Sequence, residues 1–409
     1  MTIWRKYSLK KSGIFYLILY ISLLFLSGCW DRKELNERAI WIATGWDVAE
    51  KGGVEISGQI VIPANISTPG GDGGGATGEG FFTISAKGKN VDEALKKLQT
   101  KLPREAFFGQ RRVVFLSDEF AKRGLKRELD SYQRNPDISF RTDIFIVKGI
   151  TAKEILTIPN PLEKSPAVTA LKEHRENGGR SDTAYLSFLT AANREGIRPT
   201  IPAIEISQSI EGMPAENDNS ANPTIVGLAG VSVFDSNLKM LGYLNREENR
   251  DFLWVMGLLK KMTISIPQNE GNASINLTKI QCDIKPKFGK NNQVSFTVNL
   301  VGEGTLQESN SGLDMRYSNN LRLLEKEFEK RAKKQVDHTI NKVQKEYGVD
   351  IFGFGEVIHR KHPIKWKSLK DNWDDTFQNT NISVYAKIKI KRIGMNGPSL
   401  LFKESEIKK

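Results

Sequence analysis

Histidine and cysteine are scarce in this chain, four and two among 409 residues. No HExxH, CxxC or GxSxG occurs, so zinc proteases, thioredoxin-like redox centres and nucleophile-elbow hydrolases lack the residues their chemistry needs. His359 and His362 stand three apart near Glu356, but Arg360 and Lys361 between them repel a cation. Asp374 and Asp375 are adjacent; in a strand they would point to opposite faces, which does not suit an acid–base pair. The glycine-rich stretch at 69–75 runs on towards Phe81–Ile84, which reads as a strand. A phosphate-cradling loop needs a strand–helix junction instead, so a flexible loop is the simpler reading. Gly353-Phe354-Gly355-Glu356 lacks a third glycine and reads as a tight loop with Phe352 and Phe354 tucked inward. The residues supply no catalytic group, metal ligand or cofactor site, and the chain reads as a non-enzyme.

Long apolar runs are absent too, with one exception. Ile14 to Leu26 is apolar and follows a cationic start of Arg5, Lys6, Lys10 and Lys11. This is the layout of a secretory signal peptide. It is short for a membrane span, which takes about 20 apolar residues. Ser27-Gly28 directly before Cys29 resembles a bacterial lipobox. In that reading residues 1–28 are removed, and Cys29 begins the mature chain with S-diacylglycerol on its sulfur and an acyl group on its amine. The plain alternative is an uncleaved signal anchor. Lipidation of Cys29 leaves Cys282 without an intramolecular partner, so the fold rests on buried apolar area. Cys282, on the apolar face of a strand, reads as a small buried hydrophobe.

Acidic residues are outnumbered: 48 against 60 Lys and Arg, a net +12. The signal segment holds four of the basic residues and no acidic ones, leaving +8 on the mature chain. That excess favours an anionic membrane surface, to which each nearby cation contributes about 1 kcal/mol. Nucleic acid is not expected as a partner, because no recognition motif accompanies the charge. Charged residues at 26% and apolar residues at 39% describe an ordinary globular body.

Within that body, the periodicity predicts strands at 40–46 and 54–62 joined by a hairpin turn, and further strands at 112–116, 143–147 and 201–206. Helices interleave with them. Asn90 and Ser117 are N-cap residues, and Thr151–Glu154 is a capping box. Residues 208–223, rich in Pro, Asn and Gly, form a linker. A hairpin at 225–244 and a helix capped by Asn245 follow. The apolar parity of 274–284 switches from odd to even, which predicts a bulge near Thr278. Residues 294–300 and 382–390 alternate cleanly. Between them Leu321, Leu324, Phe328, Ala332, Val336, Ile340, Val343 and Tyr347 form one continuous helical stripe, stopped by Gly348. Glu327–Arg331 and Glu329–Lys333 are i,i+4 pairs on it. Trp366 and Trp373 read as core residues that lock the C-terminal segment to the sheet.

The expected fold class is α+β and multidomain, with mixed and antiparallel sheets, packed helices and a C-terminal antiparallel sheet crossed by one long helix. The expected organisation is a signal peptide (1–28), an N-terminal α+β region (29–207), a linker (208–223), a C-terminal α+β domain (224–395) and a tail (396–409).

Two terminal stretches carry a resemblance. Cys29-Trp30-Asp31-Arg32-Lys33-Glu34-Leu35-Asn36-Glu37 opens the mature chain. Asp350-Ile351-Phe352-Gly353-Phe354-Gly355-Glu356-Val357, then His359–Pro363, Trp366 and Asn372-Trp373, lie near its end. Together they resemble the Ger(x)C family, the C subunits of nutrient germinant receptors in endospore-forming bacteria. The resemblance implies a lipid anchor at Cys29, membrane A and B subunits as partners, a role in triggering germination, and the outer face of the inner spore membrane as location. It implies no cofactor and leaves this subunit's own activity undefined; scaffolding or coupling is the natural expectation. A free-standing solute-binding lipoprotein is the alternative, and a cell-wall enzyme a more distant one.

Overall fold

The computed structural model describes residues 37–62, 80–134, 141–158, 165–176, 184–207, 225–268, 271–290, 293–310 and 312–394, with a few isolated positions besides. The expected signal peptide apart from Tyr16 and Tyr20, Cys29, the glycine-rich loop and the expected linker at 208–223 lie outside the described residues, as does most of the tail.

A nine-stranded sheet dominates the first half. Its strands are β1 (Arg38–Val48), β2 (Val54–Val61), β3 (Phe81–Gly88), β4 (Glu105–Phe107), β5 (Val113–Ser117), β6 (Asp143–Val147), β7 (Thr200–Ser207), β8 (Ile225–Phe234) and β9 (Met240–Leu244), ordered β3-β2-β1-β5-β6-β7-β8-β9, with β4 pairing to the start of β1. The central pairs β1–β5, β5–β6 and β6–β7 are parallel and the flanking pairs antiparallel. Strands β5 and β6 are buried throughout, as expected of parallel strands covered on both faces. The helices that cover them start where their caps predict. Asn90 Oδ1 accepts from Glu93 N–H ahead of α1 (Val91–Gln99). Ser117 Oγ accepts from Phe120 N–H ahead of α2 (Asp118–Arg123). After α3 (Lys126–Gln133), Thr151 and Glu154 exchange both capping-box bonds ahead of α4 (Ala152–Thr157). Next come α5 (Pro166–Glu176) and α6 (Ala184–Asn193). The hairpin β8–β9 is hydrogen-bonded to β7, so the first sheet continues past the linker.

A four-stranded sheet forms the second half: β10 (Met262–Gln268), β11 (Gly271–Phe288), β12 (Val294–Ser309) and β13 (Asn381–Arg392), in that order. The register of β11 on β12 shifts between Leu277 and Lys279, which is the bulge read from the parity switch. One expectation is corrected. The sheet is antiparallel over its first three strands, but β13 runs parallel to β12. Alternation tells which residues face inward and not which way a strand runs. The long connection through helices between β12 and β13 allows either direction.

Helix α7 (Arg246–Val255) begins at the Asn245–Glu248 capping box. Helix α8 (Ser318–Lys342) crosses the sheet's inner face, with Leu324, Phe328, Ala332, Val336 and Ile340 buried. It passes into a wider turn at Val343–Tyr347 and stops at Gly348, whose φ of 67° is left-handed. Glu329 does not pair with Lys333 as its spacing suggested. Its carboxylate accepts from Ile388 N–H (3.1 Å), and Glu325 accepts from Ile390 N–H (2.9 Å). Both bonds occupy the free edge of β13. Lys333 turns instead to Asp337 (2.8 Å). Three short helices not foreseen in the sequence follow: α9 (Phe354–Lys361), α10 (Pro363–Leu369) and α11 (Trp373–Asn379). The core under this second sheet also takes in Val231, Val233 and Leu244 from the first.

Candidate functional site

Cys29, expected to carry the lipid anchor, lies outside the described residues. The first strand begins at Arg38, nine residues further on. At about 3.3–3.6 Å per residue, such a tether spans at most about 30 Å.

The C-terminal stretch from Asp350 to Trp373 does lie within the described residues, where it closes on itself. Asp350 is fully buried. Its Oδ1 accepts from Phe352 N–H (3.0 Å) and Gly353 N–H (2.8 Å); its Oδ2 accepts from Gly355 N–H (2.8 Å) and the Trp373 indole (3.1 Å). Burial pushes this carboxyl up to about 6, against the pull of the Gly355 amide, the Trp373 indole and the Gly353 amide. Phe352 and Phe354 point inward, as the tight-loop reading expected. Phe354 packs 4.8 Å from Phe296 and 5.9 Å from Phe377. Trp366 and Trp373 are buried 5.4 Å apart, and His359 stacks on Trp366 at 5.8 Å. His362 packs on Phe288 at 5.1 Å. The two histidines therefore serve as ring contacts, and no group of three or more His, Cys, Asp or Glu able to hold a metal occurs among the described residues.

Residues 194–198 of the first half dock onto this stretch. Gly196, at a φ of +77°, meets Gly355 back to back. A Cβ on Gly355 would lie 2.7 Å from both the Gly196 Cα and the Trp373 ring. Glu356 N–H donates to Gly196 O (3.1 Å) and Arg198 N–H to Asp350 O (2.7 Å). Arg194 pairs with Glu356 (2.9 Å), Arg198 with Asp374 (2.6 Å), and the Trp366 indole donates to Glu195 (2.6 Å). Asp374 and Asp375 lie on a helix; Asp374 is engaged at this seam while Asp375 is exposed. Sequence reading missed residues 194–198. A glycine between charged residues is too common to stand out until its partner is known.

Open cavities among the described residues include the following two. One of about 510 Å³ is lined by Lys89, Asn90, Arg123, Lys126 and Asn237, among others. There Arg123 is already bound to Gly52 O, Gly53 O and Glu128. The other, about 220 Å³, borders Cys282, Phe352, Gly353 and Glu356. Burial pushes the Cys282 thiol up to about 12, which keeps it protonated and a poor nucleophile.

Residues 31–206 match the family described as the spore germination protein N-terminal domain, and residues 229–394 match the family described as spore germination B3/GerAC like, C-terminal. The gap between them falls on the segment read as a linker. Spore germination protein KC of Bacillus subtilis is 28% identical over 93% of this chain and 96% of its own length. Spore germination protein B3 of the same organism is 22% identical over 95% and 100%. The crystal structure of the GerBC protein superposes with a TM-score of 0.54 over 85% of this chain and 96% of that one, at 18% identity. At that identity the likeness speaks for the fold. Two adjoining domain matches, near-complete alignment with the curated relatives and a shared fold lead to one conclusion: the chain belongs to the Ger(x)C family of spore germination proteins.

Proposed function

We propose that this chain is the lipid-anchored C subunit of a nutrient germinant receptor, working with membrane A and B subunits on the outer face of the inner spore membrane. The observation that carries this reading is alignment with proteins named for spore germination over more than nine-tenths of both chains. Cys29 at the end of a lipobox-like signal supports the anchor. Among the described residues no helix is long and apolar enough to cross a membrane, so attachment through lipid is the economical route. One acyl chain binds marginally, at about 0.8 kcal/mol per buried methylene, whereas two or three hold persistently. Confinement to a thin layer beside the other subunits raises the effective concentration of the body.

Scaffolding or coupling fits the chemistry of the motif region. The Asp350 carboxylate, the Trp366 and Trp373 indoles and the docking Arg194 and Arg198 are engaged in closing this stretch and joining it to the first half. A solute-binding lipoprotein would close two similar lobes on its ligand, and the two sheets here differ in size and topology. Crosslinking pull-down of the C-terminally tagged protein from spore inner membranes tests the proposal. Recovery of a transporter-like partner and a second membrane subunit supports it. Recovery of the chain alone, with crosslinking verified, together with heats of binding for amino acids or sugars in calorimetry, would transfer the assignment to a solute-binding lipoprotein.

A further inference from the structure

Among the described residues, nothing covers one face of the distal half of the four-stranded sheet. After the bulge at Thr278, the outward residues of β11 are Lys279, Gln281, Asp283, Lys285 and Lys287, all exposed. The register places Lys279 beside Glu303 and Lys389 in one row, and Gln281 beside Val301 and Lys387 in the next. Lys391 follows on the same face of β13. Apart from Val301 and Tyr385, the apolar side chains of these strands turn to the other face, beneath α7 and α8. This single face thus carries six lysines against two carboxylates. Both carboxylates are already shared: Glu303 between Lys279 (3.4 Å) and Lys391 (3.6 Å), Asp283 between Lys285 (3.5 Å) and Lys361 (3.9 Å). The four-charge excess is half of the net charge read for the mature chain.

We propose that this lysine face lies against the anionic headgroups of the membrane that holds the lipid anchor. The inference rests on the anchor reading above and adds an orientation to it. The composition favours lipid over protein. Protein interfaces are enriched in aromatic residues and arginine and depleted in lysine. This face offers Tyr385 and Val301 as its apolar contribution, carries no arginine in these rows, and is otherwise lysine, two carboxylates and uncharged polar side chains. Lysines on flexible stems, on a broad and nearly apolar-free sheet, suit a diffuse layer of negative charge. The spacing agrees: alternate lysines on one strand stand about 6.6 Å apart and neighbouring strands about 4.8 Å. Several cations therefore meet the surface within one Debye length, about 8 Å at physiological salt. A tether of at most about 30 Å keeps the body within reach of that surface.

The test uses the full lipidated protein in vesicles of phosphatidylcholine, with or without phosphatidylglycerol. A fluorophore is placed on this face through Asn381→Cys, and on the opposite side through Lys330→Cys on α8. Cys282, with its raised pKa, stays largely unlabelled. The expected result is that acrylamide quenching at position 381 falls by more than half when phosphatidylglycerol is present, while position 330 is unchanged. Triple reversal at Lys387, Lys389 and Lys391 to Glu, or salt near 1 M, where the Debye length shrinks to about 3 Å, should restore full quenching. Equal quenching at 381 in both vesicle types overturns the proposal. Protection that appears only in native membranes carrying the other subunits also overturns it, and assigns the face to a protein. Failure of the protein to float with phosphatidylcholine vesicles at all is a different outcome, and refutes the anchor itself.

Discussion

Asp251 is a carboxylate held where water is nearly absent, with the Thr339 hydroxyl donating to it at 2.8 Å. Burial pushes it from 3.8 up to about 7, with the Thr339 bond and Arg250 pulling the other way. The folded protein therefore binds this proton more tightly than the unfolded chain does. The stability linked to it is complete below about pH 4 and is lost as pH rises through 7, on the order of 4 kcal/mol across the window. Asp251→Asn, which imitates the protonated state, should flatten the stability–pH profile between 4 and 7. It should also unfold at higher denaturant than the parent at pH 8. Urea titrations at several pH values measure this, and parallel profiles would refute it. Asp350 responds in the opposite way to the same change. Its two oxygens face four donors, so an amide would set its own N–H groups against the Gly355 N–H and the Trp373 indole. Asp350→Asn should cost about 3 kcal/mol at neutral pH. An unchanged melting temperature would mean that the 350–355 turn is held by its aromatic packing instead.

Among the elements, the edge of β13 is guarded in an unusual way. Two side chains of α8, Glu325 and Glu329, take up the backbone N–H groups of Ile390 and Ile388 that another strand would otherwise seek. Replacing both with Lys should speed hydrogen exchange at those two amides by tenfold or more and promote self-association, visible in sedimentation. Unchanged exchange there would show that packing alone protects the edge. Residue spacing made a good part of this architecture legible. The caps at Asn90, Ser117, Thr151 and Asn245 depend on neighbours within three residues, and each is found in place. The stripe of α8 and the bulge at Thr278 are likewise local periodicities. The parallel course of β13, the β4–β1 pairing and the Gly196–Gly355 contact join residues far apart, and no spacing rule reports them. Helices α9 to α11 are of eight residues or fewer, too short for a 3.6-residue period to emerge among so many buried aromatics.

For the molecule as a whole, the shared core predicts cooperative unfolding. Val231, Val233 and Leu244 of the first sheet are buried with the second, and the Tyr347 hydroxyl donates to Tyr243 O (2.7 Å). Calorimetry should record one transition. Gly355→Ala, which drives a methyl group into Gly196, should lower that transition by the equivalent of about 1–3 kcal/mol without splitting it. Two separated transitions in the parent protein would refute the shared core. Cys29→Ala should release the protein from membranes and reduce germination, read by lipid labelling and fractionation; full labelling of that variant would refute the anchor. Strand β1 gives the tether a further meaning. It is bonded along its length to β2 on one side and to β4 and β5 on the other. A pull at Arg38 along the strand runs across those hydrogen bonds, at right angles to the antiparallel ones and obliquely to the parallel ones, so it strains them together in shear. Under the proposed anchor at Cys29, a displacement of the membrane is thus taken up by β1 together with its partners on both sides.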